Sequence, residues 1–246
     1  MRPLEKSQTG EEEMVLSPRC AGRVSWNQKC RRLIAKSRGL QLALLAIFFV
    51  VPCRANDAGV AVVAKSELQA KLGYCQDCHG PSAQGFYGYY PIPRLAGQQP
   101  QYLENQLRAF VEHRRTNNIM FNVAHVLSPA MITALTGSFR NFNPKPIGGA
   151  PKALVAAGQK IFEDGVPDAN VAACAACHGP EATGHEQIPR LAGQLYPYVI
   201  KELTNWGNER GQDPARPDTS AIMSPVAHSL TKAQVEAVAA FVSSLK

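Results

Sequence analysis

Apolar residues recur at helical spacing along most of the chain, and strand signals are absent. Ile132, Leu135, Phe139 and Phe142 fall on one helical face, as do Val235, Val238, Val242 and Leu245. Ser128-Pro129 and Thr231 stand before these two runs as N-cap signals, so a closing helix is expected after each. Two further amphipathic segments run from Tyr102 to Phe110 and from Tyr198 to Trp206. Tyr102, Leu107 and Phe110, with Tyr198, Leu203 and Trp206, are expected to face the core. Shorter helical segments are expected over 65–72 and 152–162, the second packing Gly158 and Phe162 against the last helix. Residues 143–151, rich in Pro and Gly, cannot continue a helix and read as a linker. The pattern is all-α.

One apolar run fits no amphipathic scheme. Leu40 to Val51, about 12 residues, is too short for a spanning helix of about 20. It follows a basic stretch and precedes Cys53-Arg54-Ala55, so residues 1–55 read as a signal peptide with cleavage after Ala55; an uncleaved anchor is the alternative. This division changes the meaning of the charge. The chain of 246 residues carries a formal +7, but residues 1–55 hold ten of the 26 Lys and Arg and only four of the 19 acids. The remainder is left at +1, which argues against nucleic-acid binding.

The two halves also repeat one another. Cys75-Gln-Asp-Cys78-His79 returns as Cys174-Ala-Ala-Cys177-His178, and Pro93-Arg94-Leu95-Ala96-Gly97-Gln98 returns unchanged as Pro189 to Gln194, 96 positions later. Of the seven cysteines, three lie in 1–55 and four belong to these motifs, which leaves no disulfide framework. Cysteines three apart can each form a thioether to a haem vinyl group, and the adjoining histidine is placed to reach the iron. Two covalently bound haem c groups are implied, held by Cys75 and Cys78 and by Cys174 and Cys177, with His79 and His178 as proximal ligands. A zinc half-site or a redox dithiol would not require a histidine in register twice.

The carbonyls of Pro93 and Pro189 are suited to accept the Nδ1–H of each proximal imidazole and so orient it, while Leu95 and Leu191 pack on the haem face. A plain turn is the alternative use of each proline. For the distal side, Ile119-Met120 aligns with Ile222-Met223 at an offset of 103, the second half carrying seven extra residues in the 211–220 loop. Met120 and Met223 are the sulfur ligands at matching positions, and Met/His coordination raises the reduction potential. His125 and His228 also match and keep bis-histidine ligation open. Met131 reads as core, and His113 and His185, which have no counterparts, as solvated.

With these motifs together, residues from about Ser66 to Lys246 resemble cytochrome c4, the soluble dihaem cytochromes. The resemblance implies two tandem class I cytochrome c domains, 56–142 and 152–246, each wrapped around its haem, and a periplasmic electron carrier that transforms no substrate. It implies redox protein partners, with a quinol-oxidising complex or a dehydrogenase as donor and a terminal oxidase as acceptor, and peripheral association with the membrane. A haem subunit of a larger dehydrogenase or oxidase complex shares the same signature. A dihaem peroxidase is the enzymatic alternative, against which the matched methionines argue.

Overall fold

The computed structural model describes residues 63–210 and 219–246. The signal-peptide assignment and most of the 211–220 loop lie outside them. The described residues contain helices and no strand; three isolated bridges, Phe86–Ile92, Val166–Val171 and His185–Ile188, close short loops. No single described helix is long and apolar enough to cross a membrane.

Four helices form the first half: α1 (Lys65–His79), α2 (Pro100–Val111), α3 (Asn118–Ala124) and α4 (Pro129–Arg140). Six form the second: α5 (Val155–Asp164), α6 (Ala175–His178), α7 (Tyr196–Thr204), α8 (Trp206–Glu209), α9 (Ser220–Ser229) and α10 (Lys232–Ser244). Ser128 Oγ accepts from Met131 N at 3.2 Å at the start of α4. At α10, Thr231 and Gln234 cap each other reciprocally, each side chain accepting from the other's backbone N–H. Between the halves, 143–151 contains no helix.

Each half builds its own apolar cluster. Leu72, Ala83, Ala96, Leu103, Met131, Leu135 and Phe139 make the first, and Met131 is core as expected. The second gathers Phe162, Ala182, Ala192, Val199, Val238, Ala239, Phe241 and Val242. There α5 crosses α10 at Gly158. A Cβ at that position would lie 1.9 Å from the Ala237 carbonyl oxygen, so only glycine permits the approach.

The first helix is longer than expected: it does not stop at residue 72 but continues as α1 without a break from Lys65 through His79. Nothing in 65–79 interrupts the helical hydrogen bonding, whereas in the second half Gly165 (φ 76°) ends α5 and a bridged loop intervenes before α6. Phe110 is buried as expected, and Tyr102 and Leu203 pack on the apolar clusters although half-buried; α2 also buries Leu103, Gln106 and Ala109, and α7 buries Val199 and Glu202, while Leu107 and Trp206 are half-buried outside the clusters.

Candidate functional site

The segment after each haem motif is gripped by the same backbone bonds in both halves. Ala83 and Ala182, buried with positive φ of 54° and 52°, turn their carbonyls inward. Ala83 O accepts from Leu95 N (2.9 Å) and Ala96 N (3.0 Å); Ala182 O accepts from Leu191 N (2.8 Å) and Ala192 N (3.0 Å). Gly97 N and Gly193 N then donate to Phe139 O and Val242 O, both at 2.9 Å, tying the repeated hexapeptide to each closing helix.

This grip sets the prolines against the histidines. His79 Nδ1 donates to Pro93 O at 2.8 Å, and His178 Nδ1 to Pro189 O at 3.0 Å. A carbonyl oxygen can only accept, so the proton is on Nδ1, and Nε2 is left with a lone pair and no protein partner among the described residues. Both rings are buried, and burial holds their pKa below the ordinary value, against the proline bond that favours the charged ring. A neutral imidazole with a free Nε2 is the form that ligates a metal.

Cys75 and Leu95 pack against the first apolar cluster, and Cys174 and Leu191 against the second. Cys75 and Cys174 are half-buried and Cys78 and Cys177 exposed, and no disulfide joins any of the four. Met120 and Met223 belong to neither cluster. Each is half-buried on a short helix, α3 or α9, packed against α2 or α7. His125 and His228 are exposed, and each Nδ1 is bonded to its own helix, to Phe121 O at 3.1 Å and Ser224 O at 2.7 Å. His113 and His185 are exposed as expected, His113 stacking on Phe121 with centroids 4.9 Å apart.

The residues fit a haem in a further respect. Arg94 Nη1, Asn105 Nδ2, Trp206 Nε1 and Arg210 Nε are buried without a hydrogen-bond partner. All four are donors and three are on conjugated cationic or aromatic groups, so the missing partner is an acceptor; haem propionates are acceptors of that kind.

Sequence reasoning missed the polar joint between the halves. Gln194 accepts from Arg94 N (2.8 Å) and donates to Arg94 O (3.0 Å), while Gln98 accepts from Arg190 N (2.7 Å) and donates to Arg190 O (3.0 Å). The two clasps are related by a local twofold. A second buried group joins Arg115 of the first half to Glu202 (3.0 Å) and Tyr198 OH (2.8 Å) of the second. Burial alone would raise the Glu202 pKa, but Arg115, Arg210 and Lys201 together hold it well below the carboxylate range. The available signal was the identity of Arg and Gln in both hexapeptides, beyond the Pro and Leu that the haem uses.

The buried neutral imidazoles, paired cysteines and helical frame define a c-type cytochrome. Accordingly, the Cytochrome c family profile matches residues 155–246. Cytochrome c-552 of Acidithiobacillus ferridurans is 38% identical over 199 residues, covering 76% of this chain and 83% of the relative. The thiosulfate dehydrogenase electron acceptor of Thiomonas intermedia is 35% identical over 216 residues, 85% of this chain and 91% of that protein. A cytochrome c4 of Thiocapsa roseopersicina is 30% identical over 177 residues, 70% and 88% of the two chains. The solved cytochrome c4 of Acidithiobacillus ferrooxidans superposes with a TM-score of 0.59 at 38% identity, over 70% of this chain and 99% of that one. The chain belongs to the cytochrome c4 family.

Proposed function

We propose that this electron-transfer cytochrome holds two covalent haem c groups, one on Cys75 and Cys78 and one on Cys174 and Cys177. In this reading His79 and Met120 would hold the first iron, and His178 and Met223 the second. Pro93 and Leu95, with Pro189 and Leu191, orient and cover the rings. The domains are 56–142 and 152–246, joined by 143–151 and preceded by a leader, and the protein works in the periplasm. The observation that carries this is the doubled histidine geometry: a buried imidazole with Nδ1 tied to a proline carbonyl and Nε2 free, at 2.8 Å and 3.0 Å.

A haem c iron, when bound, supplies a reversible one-electron couple. The chain's residues account for the rest. The proline carbonyls fix ring orientation and raise the basicity of Nε2. Met120 and Met223, half-buried outside the apolar clusters, would supply sulfur ligands, and the exposed His125 and His228, each bonded to its own helix, are poorly placed to compete. An iron held by both a histidine and a methionine would favour electron transfer over binding of an exogenous ligand. The electrons run from a quinol-oxidising complex or a dehydrogenase towards a terminal oxidase.

A second reading is favoured by one comparison. The relative from Thiomonas intermedia is named as the electron acceptor of thiosulfate dehydrogenase, so this chain would serve as the haem subunit or dedicated acceptor of such an enzyme. Co-purification with a dehydrogenase or an oxidase complex separates the two readings.

The ferric spectrum of the holoprotein tests the ligation. Two low-spin haems per chain with the weak red-edge band of methionine-to-iron ligation are expected, and Met120→Ala and Met223→Ala should each remove about half of that band. A high-spin or bis-histidine site in the unmodified protein refutes the ligand assignment.

A further inference from the structure

At the joint between the halves the hydrogen bonding is twofold but the charge is not. Gln106 on α2 and Glu202 on α7 stand 96 positions apart in matching places, and both are buried. Two guanidinium groups bridge them. Arg115 donates to Gln106 Oε1 (2.7 Å) and Glu202 Oε2 (3.0 Å); Arg210 donates to the same two atoms, to Gln106 Oε1 at 2.8 Å. Each guanidinium also lies over an aromatic ring of its own half, Arg115 over Phe110 at 4.8 Å and Arg210 over Trp206 at 4.3 Å.

The arrangement demands a carboxylate but does not dictate its side. With amides at both places, two buried guanidinium groups would share no counter-charge, which is costly. With one acid and one amide the four guanidinium bonds form whichever half carries the acid. Here it is α7. Val199 and Leu203 of that helix pack into the apolar cluster that includes Cys174 and Leu191, so the helix belongs to the second haem site. The matching cluster of the first half draws in Leu103 of α2 with Cys75 and Leu95. Lys201 donates to Glu202 Oε1 at 3.0 Å and to Glu209 at 2.6 Å, which offsets part of the charge; the matching residue on α2 is the neutral Asn105. Buried charges are weakly screened, and a nearby negative charge favours the more positive, ferric state.

We propose that Glu202 tunes the relative reduction potentials of the two haems, lowering the second against the first by placing the joint's single shared carboxylate on the second half. Glu202 acts through space as a positioned charge and touches neither iron. The inference rests on the two-haem reading of the preceding section.

The test is a charge exchange in the holoprotein, Gln106→Glu with Glu202→Gln, which keeps the net charge and the four guanidinium bonds and gives up the Lys201 bond to residue 202. Potentiometric titration, with the haems assigned by their methyl proton resonances, reads the distribution of a single electron between the two sites. The exchange should move that distribution about tenfold towards the second haem, equivalent to 59 mV for a one-electron couple. An unchanged distribution in a variant with the parent's melting temperature overturns the proposal. Should the exchanged protein not fold, Lys201→Gln serves instead. Uncovering the carboxylate should shift the electron away from the second haem, and no shift overturns the proposal equally. A haem count below two per chain would instead refute the underlying two-haem reading, so the two failures are distinguishable.

Discussion

Gln194→Ala should weaken the joint between the halves by about 2–5 kcal/mol. The amide of Gln194 makes three bonds: it accepts from Arg94 N at 2.8 Å and Leu195 N at 3.0 Å, and donates to Arg94 O at 3.0 Å. Truncation leaves two N–H groups and one carbonyl without partners, at residues only 4% and 2% exposed. Each unmet buried group costs about 1–3 kcal/mol, and a water entering the vacated amide space would recover one or two of them, which gives the net figure. That is a large part of a total stability of about 5–15 kcal/mol. Gln98→Ala removes the mirror set, from Arg190 N, Arg190 O and Gln99 N, and should cost about the same. If one broken clasp already lets the joint open, the double variant will cost less than the two singles together. Urea denaturation of the holoproteins, followed by far-UV circular dichroism and by proteolysis within 143–151, measures all three. A loss below about 0.5 kcal/mol in Gln194→Ala, the level of an ordinary surface substitution, would refute the reasoning.

The buried carboxylate gives a pH signature. Glu202 has its pKa depressed in the folded state, so its contribution is complete above the unfolded carboxylate value of about 4.3 and drains away as the pH falls below it. Glu202→Gln should therefore be less stable by about 3–5 kcal/mol at neutral pH yet lose stability less steeply between about pH 5 and pH 2, read from urea midpoints against pH. A slope equal to the parent's would show that Glu202 is not the titrating group. Gly158→Ala should destabilise the second half by about 1–3 kcal/mol despite the better helix propensity of alanine, because the added Cβ meets the Ala237 carbonyl at 1.9 Å; a raised melting temperature would contradict it.

What could be read from the sequence is what local chemistry dictates. Helical spacing placed the closing helices, and Ser128 and Thr231 marked where they begin, because a cap needs only its own next turn. The histidine–proline pairing was legible because a ligating imidazole needs an acceptor and the repeated hexapeptide offered one at the same place twice. The joint was not legible, for a physical reason. Gln106 and Glu202 lie on amphipathic helices where a polar residue ordinarily faces water, and only the other half of the chain makes burial favourable. The same limit explains why Gln106 and Glu202 were left off the buried faces of α2 and α7, which were read from apolarity alone.

The repeat has stayed alike and become unlike in different places, and the bonding explains which. The loops behind the haem motifs are held by backbone atoms: Ala83 and Ala182 carbonyls, Gly97 and Gly193 amides, at distances that agree within about 0.1 Å. Such bonds fix geometry whatever the neighbouring half does. Positions 99 and 195 face that neighbour, and there the two halves meet the same need differently. Gln99 donates to the Thr183 and Gly184 carbonyls, both at 2.9 Å, and accepts from Arg140. Leu195 packs on Gly85, the counterpart of Gly184 six residues after its histidine, where an added Cβ would come within 2.9 Å of the leucine Cδ1. One half thus reaches the other's motif loop through hydrogen bonds and the other through apolar contact. Two identical domains related by an exact twofold would need the same residue at both positions. A single chain with both halves in one sequence is free of that constraint, and the unequal pair Gln106 and Glu202 uses the same freedom to place a charge on one side of a joint whose hydrogen bonds remain symmetric.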